Sequence, residues 1–205
     1  MTAQDAFRAL VRTHVAPVLR AAGFRSASPT WRLTAPTGDM AIVNVQKSWY
    51  NDGDEVNFYV NLAILPVALW DFDERTFPRK RPALPLERDG LLRRRLIPPA
   101  SSRTRESWVV DESGGCGEIL HDLLERTAVP ELRSLLDRDR LATVLQSRGH
   151  GWWTLTRRDL AAAFALADGG PTPRLARILD DLQNSLLTPA DEEKIAWIRR
   201  RAGFD

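Results

Sequence analysis

Cysteine is almost missing from these 205 residues. The single Cys116 excludes an internal disulfide and any multi-cysteine metal site, and it suits a reducing compartment. Histidine is nearly as scarce, and His14, His121 and His150 are too scattered for a metal set. No apolar run approaches the roughly 18 residues that span a bilayer. The opening stretch carries Asp5 and no uninterrupted apolar segment, unlike a secretory leader. Motifs are missing too. The chain has no H-E-x-x-H, no G-x-S-x-G, no P-loop and no G-x-G-x-x-G. These absences predict a cytoplasmic chain with no cofactor, no metal, no membrane contact and no catalytic constellation.

Lysine is the last shortage. Lys47, Lys80 and Lys194 are the only lysines, so 26 of the 29 basic residues are arginine. Such a bias is first of all a codon signature, although arginine is also the better partner for carboxylates and phosphates. The formal net charge is only +2. It is distributed unevenly, because ten basic residues between Arg75 and Arg105 meet only Glu87 and Asp89. A local field of that kind attracts anionic partners despite a near-neutral total.

What the chain does have is two runs with a period of two, Met40 to Ser48 and Asn57 to Leu65. Successive side chains of a strand point to opposite faces. In the first run Ala41, Val43 and Val45 fall on one face and Asn44, Gln46 and Ser48 on the other. In the second, Phe58, Val60, Leu62 and Ile64 make the apolar face and Asn57, Tyr59 and Asn61 the opposite one, so Asn61 sits beside Asn44 and Gln46 if the two runs pair. A face built of amides either meets water or forms the floor of a recognition surface, and the pattern leaves both open.

The remaining elements fall in blocks. Thr2 caps a first helix that runs to Gly23, and a short strand follows at Thr30 to Thr34. Residues 66–102 carry six prolines and read as irregular, with a strand at Leu91 to Ile97. Glu106 to Val110 is the last strand. Helices follow from Glu118 to Thr127, from Pro130, and from Leu141 to Ser147. Thr156, Thr172 and Thr188 then mark three further helix starts. Helix, strands, then helices predicts an α+β fold: an N-terminal helix packed on an antiparallel sheet, followed by a helical C-terminal subdomain. The boundaries are 1–136 and 137–205, packed as one compact unit.

Four stretches carry a resemblance. They are L-R-A-A-G-F at Leu19 to Phe24 with Trp31 after it, V-N-V-Q-K-S at Val43 to Ser48, F-Y-V-N-L at Phe58 to Leu62, and L-R-R-R-L at Leu92 to Leu96 with Trp108 following. On these, residues 7 to 136 resemble the bacterial family known as domain of unknown function 4304. The resemblance implies a fold and no reaction.

Function must then come from the residues. Asn44, Gln46, Ser48, Tyr59 and Asn61 form the leading candidate surface, with Arg93, Arg95 and Trp108 expected at its rim. The expected activity is non-enzymatic recognition of a protein partner, as by an immunity or antitoxin-like factor. The alternative is nucleic-acid binding, with Arg75 to Arg105 supplying charge and Trp49, Tyr50, Trp70 and Phe77 supplying stacking surfaces. Gly114 to Gly117 lacks a P-loop ending. Cys116 and His121 lie about 140° apart around a helix axis, which argues against a nucleophile–base pair. Trp152-Trp153 reads as an anchor for the C-terminal helices.

Overall fold

Local hydrogen bonds set the first helix. Thr2 and Asp5 cap each other's amides to start α1, which comprises Ala3–Leu10, a π-helical turn at Val11–Val15, and Ala16–Ala21. Pro17 explains the turn. It has no amide hydrogen, and its ring crowds the Thr13 carbonyl four residues back, so the helix widens and the Ala16 amide bonds the Val11 carbonyl. Gly23 ends the helix at φ 79°, and the Phe24 amide returns to the Leu19 carbonyl at 2.9 Å. The computed structural model describes residues 2–27, 29–49, 51, 54–76, 84–100, 106–111, 115–149 and 151–204.

The chain is an α+β fold. Its strands are β1 (Arg25–Ala27), β2 (Thr30–Thr34), β3 (Met40–Lys47), β4 (Val56–Leu65), β5 (Leu92–Leu96) and β6 (Trp108–Val110). They form one antiparallel sheet in the order β1-β2-β3-β4-β5, and β6 also pairs with β4. Two strands thus share one edge of β4: β5 takes Val60 to Ile64, and β6 takes Val56 to Phe58. The Trp108 indole N–H closes the junction by donating to the Leu96 carbonyl at 2.8 Å.

The first face carries Ala41, Val43, Phe58, Val60, Leu62 and Ile64, all wholly buried as the alternation predicts. Helices α1 and α3 pack into the same core. Helix α3 comprises Gly117–Leu123, a π-helical turn at Leu124–Ala128, and Val129–Ser134. The sequence predicts a new helix opening at Pro130. Instead one helix continues past it, because the π turn moves the Val129 amide onto the Leu124 carbonyl and makes room for the ring.

The second face has two halves. At one end Ile42, Ala63 and Leu65 are covered by Leu69 and Trp70 of α2 (Val67–Thr76). This helix corrects the expectation of an irregular 66–102 segment. Its start is capped from elsewhere, since the Asp39 carboxylate accepts the Val67 amide at 2.9 Å. A single helical turn, Glu87–Asp89, crosses the middle of the face. Gly90 permits that approach, because a side-chain carbon there would lie 2.5 Å from Ala63 Cβ. Beyond it, the Asn44–Gln46–Asn61 end begins.

The C-terminal helices are α4 (Arg138–Gln146), α5 (Arg158–Leu166), α6 (Pro173–Gln183) and α7 (Pro189–Ala202). Thr172 and Thr188 cap α6 and α7 as predicted, each with proline fixing the first turn. Thr156 does not cap α5. Its amide turns to Thr154 Oγ1, the helix starts at Arg158, and the Asp159 carboxylate accepts from Gln146 instead. One buried cluster runs from α1 to α7. Phe72, Phe164 and Trp197 meet at 5.6 to 6.0 Å between ring centres. An ionic chain, Asp39–Arg138–Asp168–Arg201–Asp71, ties the β2–β3 turn to α4, α7 and α2. Among the described residues, no helix is long and apolar enough to cross a membrane.

Candidate functional site

The amides of the second face bond one another. Asn44 and Asn61 are cross-strand partners, and Asn61 Nδ2 donates to Gln46 Oε1 at 3.1 Å and to Asn44 Oδ1 at 3.4 Å. Asn44 Nδ2 donates in turn to Thr30 Oγ1 at 3.0 Å. Asn61 is buried while Gln46 is exposed, so the row forms a rigid polar floor with one side open. Among the described residues, the C-terminal part contributes Gly151 and Trp153 to the lining beside this floor, and none of its helices does.

Arginines make the wall. The β5 register sets Arg93 opposite Ala63 and Arg95 opposite Asn61, on the amide side, and turns Arg94 to the core side. Arg93 Nε donates to Glu87 at 2.6 Å and its guanidinium lies 4.3 Å from the Trp153 ring centre. Arg95 stacks 4.1 Å over Tyr59 and meets Glu106 only loosely, at 3.7 Å. Gln46, Asn61, Arg93, Arg95, Ile97 and Trp153 line an open groove of about 670 Å³. Ile97 and Trp153 are 56% and 43% exposed there, so the groove joins apolar, aromatic and charged surface.

Arg94 works on the other side. It forks onto Glu131 of α3 at 2.6 and 3.1 Å, and Trp152 donates to the same carboxylate at 2.7 Å. The expectation that Trp152-Trp153 anchors the C-terminal helices therefore fits Trp152 alone. Adjacent residues of an extended chain cannot both face the core, and that alternation was the signal for Trp153.

Six of the candidate residues share the face: Asn44, Gln46, Tyr59, Asn61, Arg93 and Arg95. Ser48 lies just beyond β3, where its amide bonds the Asn57 carbonyl at 2.7 Å, and it does not line the groove. Trp108 is a correction. It is buried on the first face, stacked near Phe58, because its register places it opposite that core residue. Trp70, expected as a stacking surface, packs on the Ile42–Leu65 cluster instead. Glu87, Glu106, Ile97 and Trp153 are groove residues that the strand patterns did not single out.

Of the basic segment, Arg79, Lys80, Arg81, Arg103 and Arg105 lie outside the described residues, as do Tyr50, Phe77, Gly114 and His150. Cys116 is half-buried, and burial pushes its thiol up to about 11, away from a nucleophile's range. His121 stands edge-on to His14 at 6.4 Å. No cluster of three or more His, Cys, Asp or Glu suited to a metal occurs among the described residues. A second, smaller groove of about 320 Å³ runs between α1 and β2, with Phe7, Val11 and Trp31 as floor and Arg8, Arg12 and Arg20 at the rim. Its arginines extend from an exposed helix face, unlike the stacked arginines of the larger groove.

The family model described as Domain of unknown function (DUF4304) matches residues 15–137, more than half of the chain. The chain belongs to that family. A search of curated proteins and a search of solved structures each return no match.

Proposed function

We propose that this chain is a non-enzymatic binding protein whose sheet-face groove recognises a protein partner, in the manner of an immunity or antitoxin-like accessory factor. The observation that carries the reading is Arg95, 41% exposed and stacked at 4.1 Å on Tyr59 beside exposed Ile97 and Trp153. Arginine and aromatic side chains dominate the energetics of protein interfaces, most of all when they are held in place before binding. The stack fixes the guanidinium, and the weak contact to Glu106 leaves it available. Glu87 and Glu106 give the groove both charge signs, which suits a protein surface better than a continuous phosphate backbone.

The test is association of the tagged chain with its partner from native lysate, compared with Arg95→Glu and Tyr59→Ala. Both variants should fold normally and lose at least about tenfold in association. Unchanged association in both sinks the reading. Nuclease-sensitive binding that falls steeply with salt replaces it with the nucleic-acid alternative, because phosphate contacts release counterions.

A further inference from the structure

Strand β5 ends the ladder on its side of the sheet, and its outer edge is closed at one residue. Arg93 and Trp153 exchange two hydrogen bonds, Arg93 N–H to the Trp153 carbonyl and Trp153 N–H to the Arg93 carbonyl, each 2.8 Å. A reciprocal pair of this kind identifies the residue whose N–H and C=O both point outward, and backbone direction repeats every second residue. Arg95 therefore points its N–H and C=O outward as well. Continuing the ladder would place Gly151 opposite Arg95. Gly151 has φ 73°, a left-handed conformation that turns the chain away from the sheet at that point. Among the described residues, no backbone bond is made to the outward side of Arg95. The space beside this edge is the groove itself, bordered by Gly151, Arg95, Leu96 and Ile97.

We propose that an extended segment of the protein partner adds to the sheet as a strand on β5, taking up the ladder where Gly151 leaves it. This rests on the binding role argued above and assigns its geometry. An exposed strand edge is a template for another strand, and proteins blunt edges they do not use. The opposite edge, β1, is blunted by its length of three residues. The β5 edge is selective by charge. Arg93 and Arg95 flank it on the groove side, so a second copy of the same cationic strand is repelled and a strand with acidic side chains on that side is favoured. Arg93 stays with Glu87 at 2.6 Å, while Arg95 exchanges the loose Glu106 contact for a carboxylate of the incoming strand.

The probe is a short peptide, capped at both ends, that alternates Glu with Val, and amide hydrogen exchange is followed residue by residue. Saturating peptide should slow exchange of the Arg95 amide at least about tenfold, since that N–H becomes a ladder donor. The same peptide N-methylated at alternate residues should not bind. Arg95→Ala keeps the backbone donor, whereas Arg95→Pro removes it at a position where proline breaks no internal bond. The proline variant should therefore bind the peptide several-fold more weakly than the alanine variant. An unprotected Arg95 amide under saturating peptide, or equal binding of the N-methylated peptide, overturns strand addition. Applied to the lysate partner, equal loss in both variants overturns strand addition and keeps the groove reading. Full retention in both overturns the two together.

Discussion

The two halves of the second sheet face are built from the same two strands, yet one is covered and the other open. Ile42, Ala63 and Leu65 are wholly buried under α2, while two to four residues away along the same strands Asn44, Gln46 and Asn61 form an open floor. The difference shows what decides cover. An apolar patch is stabilised only when something shields it from water, at roughly 25 cal/mol per Å². A row of amides that bond one another needs no such shield. The open half is therefore available for recognition without a cost in core packing.

The comparison can be broken at its anchor. Asp39 is buried, holds the first amide of α2 and pairs with Arg138 at 2.7 Å. Asp39→Ala leaves the Arg138 guanidinium only its longer contacts to Asp168 at 3.5 Å and the Thr37 carbonyl at 3.4 Å and uncaps the helix, so a loss of about 3–5 kcal/mol is expected in urea unfolding. Leu65→Ala, in the covered half, should cost about 3 kcal/mol through its cavity. Gln46→Ala on the open half should change stability by less than about 0.5 kcal/mol, and equal costs at the two positions would erase the distinction. Asn61→Leu sharpens it further. Its former acceptors on Asn44 and Gln46 remain reachable by water, so stability should move by no more than about 1 kcal/mol, while partner association falls.

The smallest effect is a control at the start of α3, where Cys116 is half-buried against the core of the first face. Cys116 has its thiol raised from an ordinary 9.0 to about 11 by burial. A raised value favours the protonated, folded form, so this contribution is complete below pH 9.0 and disappears as the pH rises through about 11. At pH 8, alkylation by iodoacetamide should be much slower than for free cysteine and should recover in denaturant. Fast alkylation of the folded chain would contradict the burial.

Much of this was legible in the residues. Period-two alternation placed Ala41, Val43, Phe58, Val60, Leu62 and Ile64 on the buried first face and put Asn44, Gln46, Tyr59 and Asn61 together on the second, but it did not foresee that Ile42, Ala63 and Leu65 of that second face are wholly buried as well. The Thr2, Thr172 and Thr188 caps are local chemistry, so they could be read directly. What escaped depends on distant partners. Helix α2 is capped by Asp39, 28 residues upstream, and no local pattern encodes that. Trp108 sits in a three-residue strand, too short for alternation to tell its face. Of the three consecutive arginines, Arg94 is spent on Glu131 of α3, 37 residues on, which charge counting cannot see.

The two π turns have a consequence for chain length. Each precedes a proline, Val11–Val15 before Pro17 and Leu124–Ala128 before Pro130, and each holds one residue more than an α-helical turn would. In α1 the buried stripe steps by five from Leu10 to Val15, where an α-helix steps by three or four. Such a turn is a single-residue insertion absorbed inside a helix. Removing one residue from Val11–Val15 and replacing Pro17 with alanine should yield an unbroken helix with the same side chains inward. Pro17→Ala alone leaves one residue too many for a regular helix, which would rotate the second half by about 100° and turn Val18 and Leu19 out of the core, whereas the deletion alone leaves the proline ring against a carbonyl with no widened turn to receive it. Relatives that lack the proline are accordingly expected to be one residue shorter at the same place.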